Sequence, residues 1–506
     1  VLVRDTIPAA AAYAATHWAD EPAIHQGCRR LTFAEYVDRA GGVANGLVAR
    51  GVTRGDRIAV WAPNGVDHAV VLLGLQLAGG VLVPVNTRFR DREVSQLLAD
   101  ARVSVLVTVE EFLGRRYADE ARSLDLPDLR EVLTVDTVPD WSLAGPPPAD
   151  LTRGEDISAI LFTSGTTGRP KGAMLRHDAL VRGYREWSAL TGMRHGDRVM
   201  VTNPFFHAFG LNVGLLAPLI HGATAYPVAV FDPGSVLALL RSERITYYPA
   251  PPTVFVALSD LVRAEGGGPL PSLRSAVIGA TVIPRPTVDA MYDVLGVDDV
   301  HVPYGFTEAS ALATVTRRGD SRDVVCGTAG RPLPDITVRI LDPNGVPVAP
   351  GETGEIEVSG YAVMPGYLDP ETGQEQRPGT GGVVRSGDLG HVDAAGNLVI
   401  DGRIKDVVIV GGFNVYPAEV EACLVEHPAV AEVAVVGRPD DRLGEVAVAF
   451  VVRRAPVDEH ELVAWCRDRI ANFKVPRAVV VVDGLPMNAS GKVLKRELRA
   501  QLPGGR

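Results

Sequence analysis

The stretch from Leu161 to Leu175, LFTSGTTGRPKGAML, starts apolar, passes through Thr163, Ser164, Thr166 and Thr167 among Gly165 and Gly168, and reaches Lys171. In such a run the backbone N–H groups can converge on an anion. Glycine permits the required φ and close approach, hydroxyls add donors, and lysine adds charge. The residues just before it, DISAILFTS (156–164), read as a strand, so the loop sits at a strand end. It is not a Walker A loop, which needs Gly, four residues and then Gly-Lys-Ser/Thr, whereas here Gly172 is followed by Ala173. Nor does a GxGxxG follow a predicted strand. From composition alone, two readings stay open: a phosphate-binding loop, or a polar surface loop.

The rest of the chain frames that loop. DRIAVWAPN (56–64), RVSVLVTV (102–109), RVMVTNP (198–204), LRSAVIGA (273–280) and DVHVPYG (299–305) also read as strands. Residues 33–51, 233–245 and 284–295 carry helix periodicity between them. Continuous apolar strands separated by helices predict an α/β architecture, with parallel sheets covered on both faces. Past residue 335 the rhythm turns to hairpins, with Asn344-Gly345 and Gly396-Asn397 as turns, which predicts a small β region. From about residue 405 a mixed pattern predicts a small C-terminal α+β domain: a helix near 417–427, strands near 430–437 and 446–453, a helix near 459–471 and a strand near 478–483.

With 506 residues the chain is too long for one ordinary core, and 46 % hydrophobic with 22 % charged residues is globular composition. A net charge of −11 offers no basic excess to neutralise phosphates, which argues against a general nucleic-acid or anionic-membrane binder. The apolar run from Ala69 to Val85 is interrupted by Gln76, Gly79-Gly80 and Pro84, so it reads as a buried helix, a turn and a buried strand rather than a membrane span. Cys28, Cys326, Cys423 and Cys466 lie far apart with no CxxC pair. That speaks against a zinc site and suits a reducing cytoplasm, and no signal-peptide pattern is expected.

TSGTTGRPKG resembles the phosphate loop of the adenylate-forming superfamily, which includes acyl- and aryl-CoA ligases, firefly luciferases and adenylation domains of peptide synthetases. Further signatures of that family follow in order: NPFFHAFG (203–210), YGFTE (304–308), GEIEVSG (354–360), SGDLG (386–390), DGRIKDVVIVGGFNVYPAEVE (401–421) and NASGKVLKREL (488–498). The resemblance covers almost the whole chain and points to the acyl-CoA ligase branch. GFNVYPAEVE and the apolar tone of the acyl region further resemble bacterial ligases of steroid-derived or terpenoid acids.

The resemblance implies two steps. A carboxylate attacks the α-phosphate of ATP to give an acyl-adenylate and pyrophosphate, and the thiol of coenzyme A then displaces AMP. It implies a large N-terminal domain, 1–402, and a mobile C-terminal domain, 403–506, with the hinge at Lys405. Thr163, Ser164, Gly165, Thr166, Thr167, Gly168 and Lys171 would grip the β- and γ-phosphates. Glu308 would take Mg²⁺ with phosphate oxygens, an oxygen-donor arrangement that suits this ion. Thr307 would reach the α-phosphate, and Tyr304, followed by Gly305, would stack on adenine. Asp388 would accept the ribose hydroxyls and Arg403 would reach ribose or phosphate. Lys492 would bridge the substrate carboxylate and α-phosphate during adenylation. Gly411, Gly412 and Phe413 would replace it after rotation and line the pantetheine tunnel. His207 would gate the acyl pocket, and Gly279, Ala280 and Thr281 would border it.

Several positions depart from the family pattern: Ser386 for Thr, Gly382-Val383 where a tryptophan often precedes SGDLG, Phe413 for an acidic residue, and Thr281 for alanine. AFGLNVGLLAPLI (208–220) has no charged residue, and an unpaired substrate ammonium there would be costly to bury. An apolar monocarboxylate is therefore expected. Gly210, Gly214 and Ala217 leave two readings open, room for a ring-containing acid or close helix packing. Alternatives are a freestanding enzyme loading a carrier protein, a ligase confined to thioesterification, a luciferase-like monooxygenase and a non-catalytic nucleotide binder. A homodimer is compatible with the resemblance.

Overall fold

The computed structural model describes residues 5–149, 152–163, 170–279, 283–372, 375–376, 382–410, 413–440, 442–488 and 493–502. Ile157–Thr163, the strand that leads into the hydroxyl-rich loop, lies inside an eight-stranded sheet. Arg57–Trp61, Val81–Pro84, Val105–Thr108 and Glu131–Thr134 run parallel with it. These strands are mostly apolar and mostly buried, as expected of parallel strands inside an α/β domain. Lys171–Arg176 returns antiparallel, which places Thr163 opposite Lys171 at the mouth of the loop. Tyr367–Leu368 extends the same sheet by pairing Tyr367 with Ala173.

The second large sheet has seven strands. Thr224–Pro227, Arg198–Val201, Tyr247–Ala250, Ser275–Ile278 and Asp299–His301 are parallel, and Pro22–Gln26 joins them with its hairpin partner Arg29–Thr32. The helices Phe33–Ala49, Pro233–Ser242 and Arg285–Asp293 form where periodicity predicts them. Phe33–Ala49 starts with a capping box between Thr32 and Glu35, which satisfies two orphan N–H groups. The run 69–85 is the helix Val66–Leu77, a turn and the strand Val81–Pro84. Gln76 is buried there, with its amide bonded to Ser158. Among the described residues, no helix is long and apolar enough to cross a membrane.

Two sequence expectations change. DVHVPYG is not one strand. Asp299–His301 ends the seven-stranded sheet, and Pro303–Tyr304 enters a separate three-stranded antiparallel sheet with Thr314–Val315 and Arg331–Pro332. Pro303 has no N–H with which to continue the first ladder. Asn344-Gly345 does form a tight turn, closed by Asp342, but only a single bridge follows it, Leu341 to Pro347. Pro347 and Pro350 cannot donate, and the long partner of Ile336–Leu341 is Gly354–Gly360. That pair joins Val383–Val392 and Leu398–Arg403 in a four-stranded antiparallel sheet whose last hairpin turns at Gly396-Asn397.

The C-terminal part is α+β as expected. Gly444–Arg453 is the central strand of a five-stranded sheet, and Val430–Asp440 pairs along it antiparallel. Alternation sends Val435 into one apolar cluster with Leu424 and Leu462, and Ala434 and Val436 into another with Phe450 and Leu498. The helices Pro417–Val425 and Glu459–Arg467 therefore cover one face, and Lys495–Ala500 the other.

Candidate active site

Thr163 and Lys171 flank the glycine-rich loop. Ser164, Gly165, Thr166, Thr167 and Gly168 lie outside the described residues. The Thr163 hydroxyl is 3.3 Å from Glu308 Oε1, across 145 positions of sequence. The Tyr367 hydroxyl donates to the same oxygen at 2.7 Å. Lys171 Nζ sits 5.3 Å from the centre of the Tyr367 ring. Burial, with Glu308 next, pushes the Tyr367 phenol well above its usual range, so it stays protonated and donates. The structure thus brings together the loop lysine and the expected metal carboxylate, around a tyrosine that sequence reasoning missed. Tyr367 lies in a two-residue strand with no periodicity to mark it.

Tyr304, Asp388 and Arg403 form a second cluster. Tyr304 donates its hydroxyl to Asp388 Oδ2 at 2.9 Å, and Arg403 Nε lies 2.9 Å from Asp388 Oδ1. Asp388 faces Arg403 across paired strands, and its backbone N–H is bonded to Ser386 Oγ. Serine therefore serves here where the family has threonine. Asp388 is buried, whereas Arg403 remains partly exposed. Gly305 follows Tyr304 at a point where the chain doubles back tightly. A Cβ there would lie 2.3 Å from the carbonyl carbon of Ala311, so no side chain fits. Thr307 and Glu308 begin a 3₁₀ turn, Thr307–Ala309. Ser310 and Ala311 after it have φ of 56° and 59°. Such non-glycine residues in the left-handed region store strain, here held by the Ser310 hydroxyl bonding Ala362 O at 2.7 Å.

His207 precedes a π-helix, Phe209–Leu216, which continues as the α-helix Ala217–His221. Its Nδ1 accepts the Phe209 N–H at 3.2 Å, which assigns the neutral tautomer with the proton on Nε2. Burial lowers its pKa, which also favours the neutral ring. The residue as a whole is half-buried. Gly210 and Gly214 serve packing. A Cβ on Gly210 would lie 2.1 Å from Pro204 O, and one on Gly214 would lie 2.4 Å from Val201 Cγ1. Of the two readings of these small residues, close contact with segment 201–204 is the one observed, and the wide π turn sits against it. Gly279 follows the strand Ser275–Ile278 and is buried near Pro303. Ala280 and Thr281 lie outside the described residues.

Lys405 is exposed in a 3₁₀ turn, Ile404–Asp406, between the four-stranded sheet and the C-terminal sheet. Phe413 is largely exposed and stacks on Phe473 with ring centres 4.9 Å apart. Gly411, Gly412 and Lys492 lie outside the described residues. The arrangement suits a nucleotide with a divalent cation. Among the described residues no cluster of three metal-ligating side chains exists, so protein atoms there do not enclose an ion. Glu308 instead offers one carboxylate beside a phosphate-type loop, the donor set Mg²⁺ uses when phosphate oxygens and water complete its shell.

Residues 11–368 match the model of the AMP-binding enzyme family, and residues 419–492 match that of the AMP-binding enzyme C-terminal domain. A Mycobacterium tuberculosis protein named 3-[(3aS,4S,7aS)-7a-methyl-1,5-dioxo-octahydro-1H-inden-4-yl]propanoyl:CoA ligase is 41% identical over 512 residues, covering 98% of each chain. A feruloyl-CoA synthase from Amycolatopsis sp is 38% identical over 482 residues, covering 94% of this chain and 95% of that one. Among solved structures, ATP-bound MatB from Rhodopseudomonas palustris is similar with a TM-score of 0.87 and 32% identity, covering 98% of this chain and 99% of that one.

Proposed function

The chain belongs to the AMP-binding enzyme family, and we propose that the acid it activates is an apolar, ring-containing monocarboxylate. It is an ATP-dependent acid–CoA ligase: ATP adenylates the carboxylate with loss of pyrophosphate, and coenzyme A then takes the acyl group and releases AMP. The observation that carries the substrate reading is the acyl-side segment Phe209–Leu216, FGLNVGLL, which has no charged side chain. Its one polar side chain, Asn212, is buried. The bicyclic propanoate named for the 41% identical relative belongs to the same chemical class.

Within this reading Asp388 holds the ribose hydroxyls, and Tyr304 stacks on adenine while its hydroxyl stays tied to Asp388. Arg403 neutralises charge near the ribose and α-phosphate and orients Asp388 through their 2.9 Å contact. Lys171, with the loop 164–169, takes the β- and γ-phosphates, and Thr307 reaches the α-phosphate. Glu308 would hold Mg²⁺, which would supply charge neutralisation between attacking carboxylate and polyphosphate. Lys492 bridges carboxylate and α-phosphate during adenylation. The segment Gly411-Gly412-Phe413 takes its place for thioesterification, and neutral His207 swings away from the acyl carbon to admit the thiol. Gly279, Ala280 and Thr281 border the carboxylate. The large domain ends at residue 402 and the hinge is Lys405. An exposed turn between two separate sheets supports that placement, because a few junction residues must absorb the rotation. Four free cysteines support a reducing, cytoplasmic setting.

The test is pyrophosphate release and CoA thioester formation across a panel of acids. Fused-ring and aryl propanoates are expected to react best, with amino acids and dicarboxylates inert. A preference for charged acids would overturn the substrate assignment.

A further inference from the structure

Glu308 and Lys171 carry opposite charges and must each meet a different part of Mg·ATP if the reading above holds. Among the described residues they form no direct ion pair. Tyr367 stands at both of them: its hydroxyl bonds Glu308 Oε1 at 2.7 Å, and its ring face lies 5.3 Å from Lys171 Nζ. The Thr163 hydroxyl also reaches Oε1, and no described residue bonds Oε2. Among the described residues the carboxylate is thus anchored through one oxygen.

The backbone gives Tyr367 little freedom. Tyr367 pairs with Ala173, and the Met174 N–H bonds Gly366 O at 3.1 Å, which ties the segment to the Lys171 strand. The Met364 N–H bonds Glu308 O at 2.8 Å, and Ser310 Oγ bonds Ala362 O at 2.7 Å, which ties the same segment to the Glu308 turn. Residues 362–367 therefore clasp both partners and set the ring at a fixed place between them.

We propose that Tyr367 is a positioning residue for adenylation: it orients Glu308 through Oε1 and parks Lys171 on its ring, so that neither charge neutralises the other before Mg·ATP arrives. A direct lysine–glutamate pair in this partly buried place would have to be broken before the lysine could reach phosphate and the carboxylate the ion, and breaking it would be subtracted from nucleotide affinity. A phenol hydrogen bond and a cation–π contact hold the same groups more loosely. The lysine can leave the ring for phosphate, and Glu308 can keep its phenol bond while Oε2 takes the ion. This proposal rests on the assignment of Glu308 to Mg²⁺.

The experiment is calorimetric binding of Mg·ATP, and of ATP in chelator, to the full chain and to Tyr367→Phe, Tyr367→Leu and Glu308→Gln, with melting temperatures for each. Tyr367→Phe keeps the ring and loses the hydroxyl. It is expected to weaken Mg·ATP by about tenfold, the scale of one hydrogen bond to a charged group, and to leave metal-free ATP binding unchanged. Tyr367→Leu loses both contacts and is expected to weaken both forms of the nucleotide. Glu308→Gln is expected to abolish the advantage of Mg·ATP over ATP. If Glu308→Gln does so while Tyr367→Phe binds Mg·ATP like the parent, the positioning role is overturned and the Glu308 assignment stands. If Glu308→Gln binds Mg·ATP like the parent, both fall. Equal weakening of both nucleotide forms by Tyr367→Phe, with a lowered melting temperature, would reduce Tyr367 to a packing residue and overturn the proposal.

Discussion

Asp388→Asn changes one oxygen to an amide nitrogen at the centre of the Tyr304–Asp388–Arg403 cluster. In the parent, Oδ2 accepts from the tyrosine and Oδ1 faces the guanidinium, both at 2.9 Å. Asparagine keeps one acceptor and turns the other into a donor aimed at a donor. Bonds to charged groups contribute about 1.5–3 kcal/mol, so losing one charge-assisted bond to the ribose corresponds to about 10–100-fold in ATP affinity. The cost to folding is smaller. Arg403 keeps 38% of its side chain exposed, so water solvates the charge left unpaired, and a loss of about 1 kcal/mol or less is expected. The assay is pyrophosphate release against ATP concentration, paired with thermal melting. A raised ATP KM with a nearly parental melting temperature is the expected pair of results. An ATP KM equal to the parent's would refute the ribose role of Asp388.

Lys492→Ala is expected to slow adenylate formation on the order of 10²-fold, as for other preorganised electrostatic groups, while thioester formation from supplied acyl-adenylate survives; equal loss in both steps would refute its role. Lys405→Pro fixes φ at the proposed hinge and is expected to favour one half-reaction over the other, whereas two unchanged rates would place the hinge elsewhere. Burial lowers the pKa of His68 and of His301 to about 4, below the unfolded value, so their stabilising contribution is full above the unfolded pKa and is lost as pH falls towards the folded one. With an ordinary imidazole pKa in the unfolded chain this amounts to about 2 kcal/mol per histidine between pH 7 and pH 5, and denaturant unfolding at the two pH values checks it, with equal stability as the contrary result.

Much of the frame was readable because local physics and tertiary structure agree there. The strand before the loop, the helix Phe33–Ala49 and the turn at Gly396-Asn397 each carry their own signal in periodicity or turn chemistry. Tyr304, Asp388 and Arg403 could each be singled out by motif, and the hairpin turning at Gly396-Asn397 sets Asp388 opposite Arg403, but the contact of Tyr304 with Asp388 depends on how two separate sheets meet, which no local pattern encodes. Tyr367 carried no signal at all, because its meaning arises only when a two-residue strand is laid beside Lys171–Arg176. The glycines at 210 and 214 looked equally like pocket space and like packing in one dimension. Only the approach of segment 201–204 separates the two.

The central claim is that one chain carries a carboxylate through both steps. Thr281 and the absent tryptophan before SGDLG are departures from the family pattern at positions that the resemblance assigns to the adenylation site, and a displacement of about 1 Å in such a site can cost on the order of 10²-fold. The most direct measurement compares two reactions of the same preparation: a fused-ring acid with ATP, Mg²⁺ and CoA, and the synthetic acyl-adenylate of that acid with CoA. The account predicts thioester from both, with pyrophosphate released in step with thioester in the first. Thioester from the supplied adenylate alone, with no pyrophosphate from acid and ATP, would contradict it.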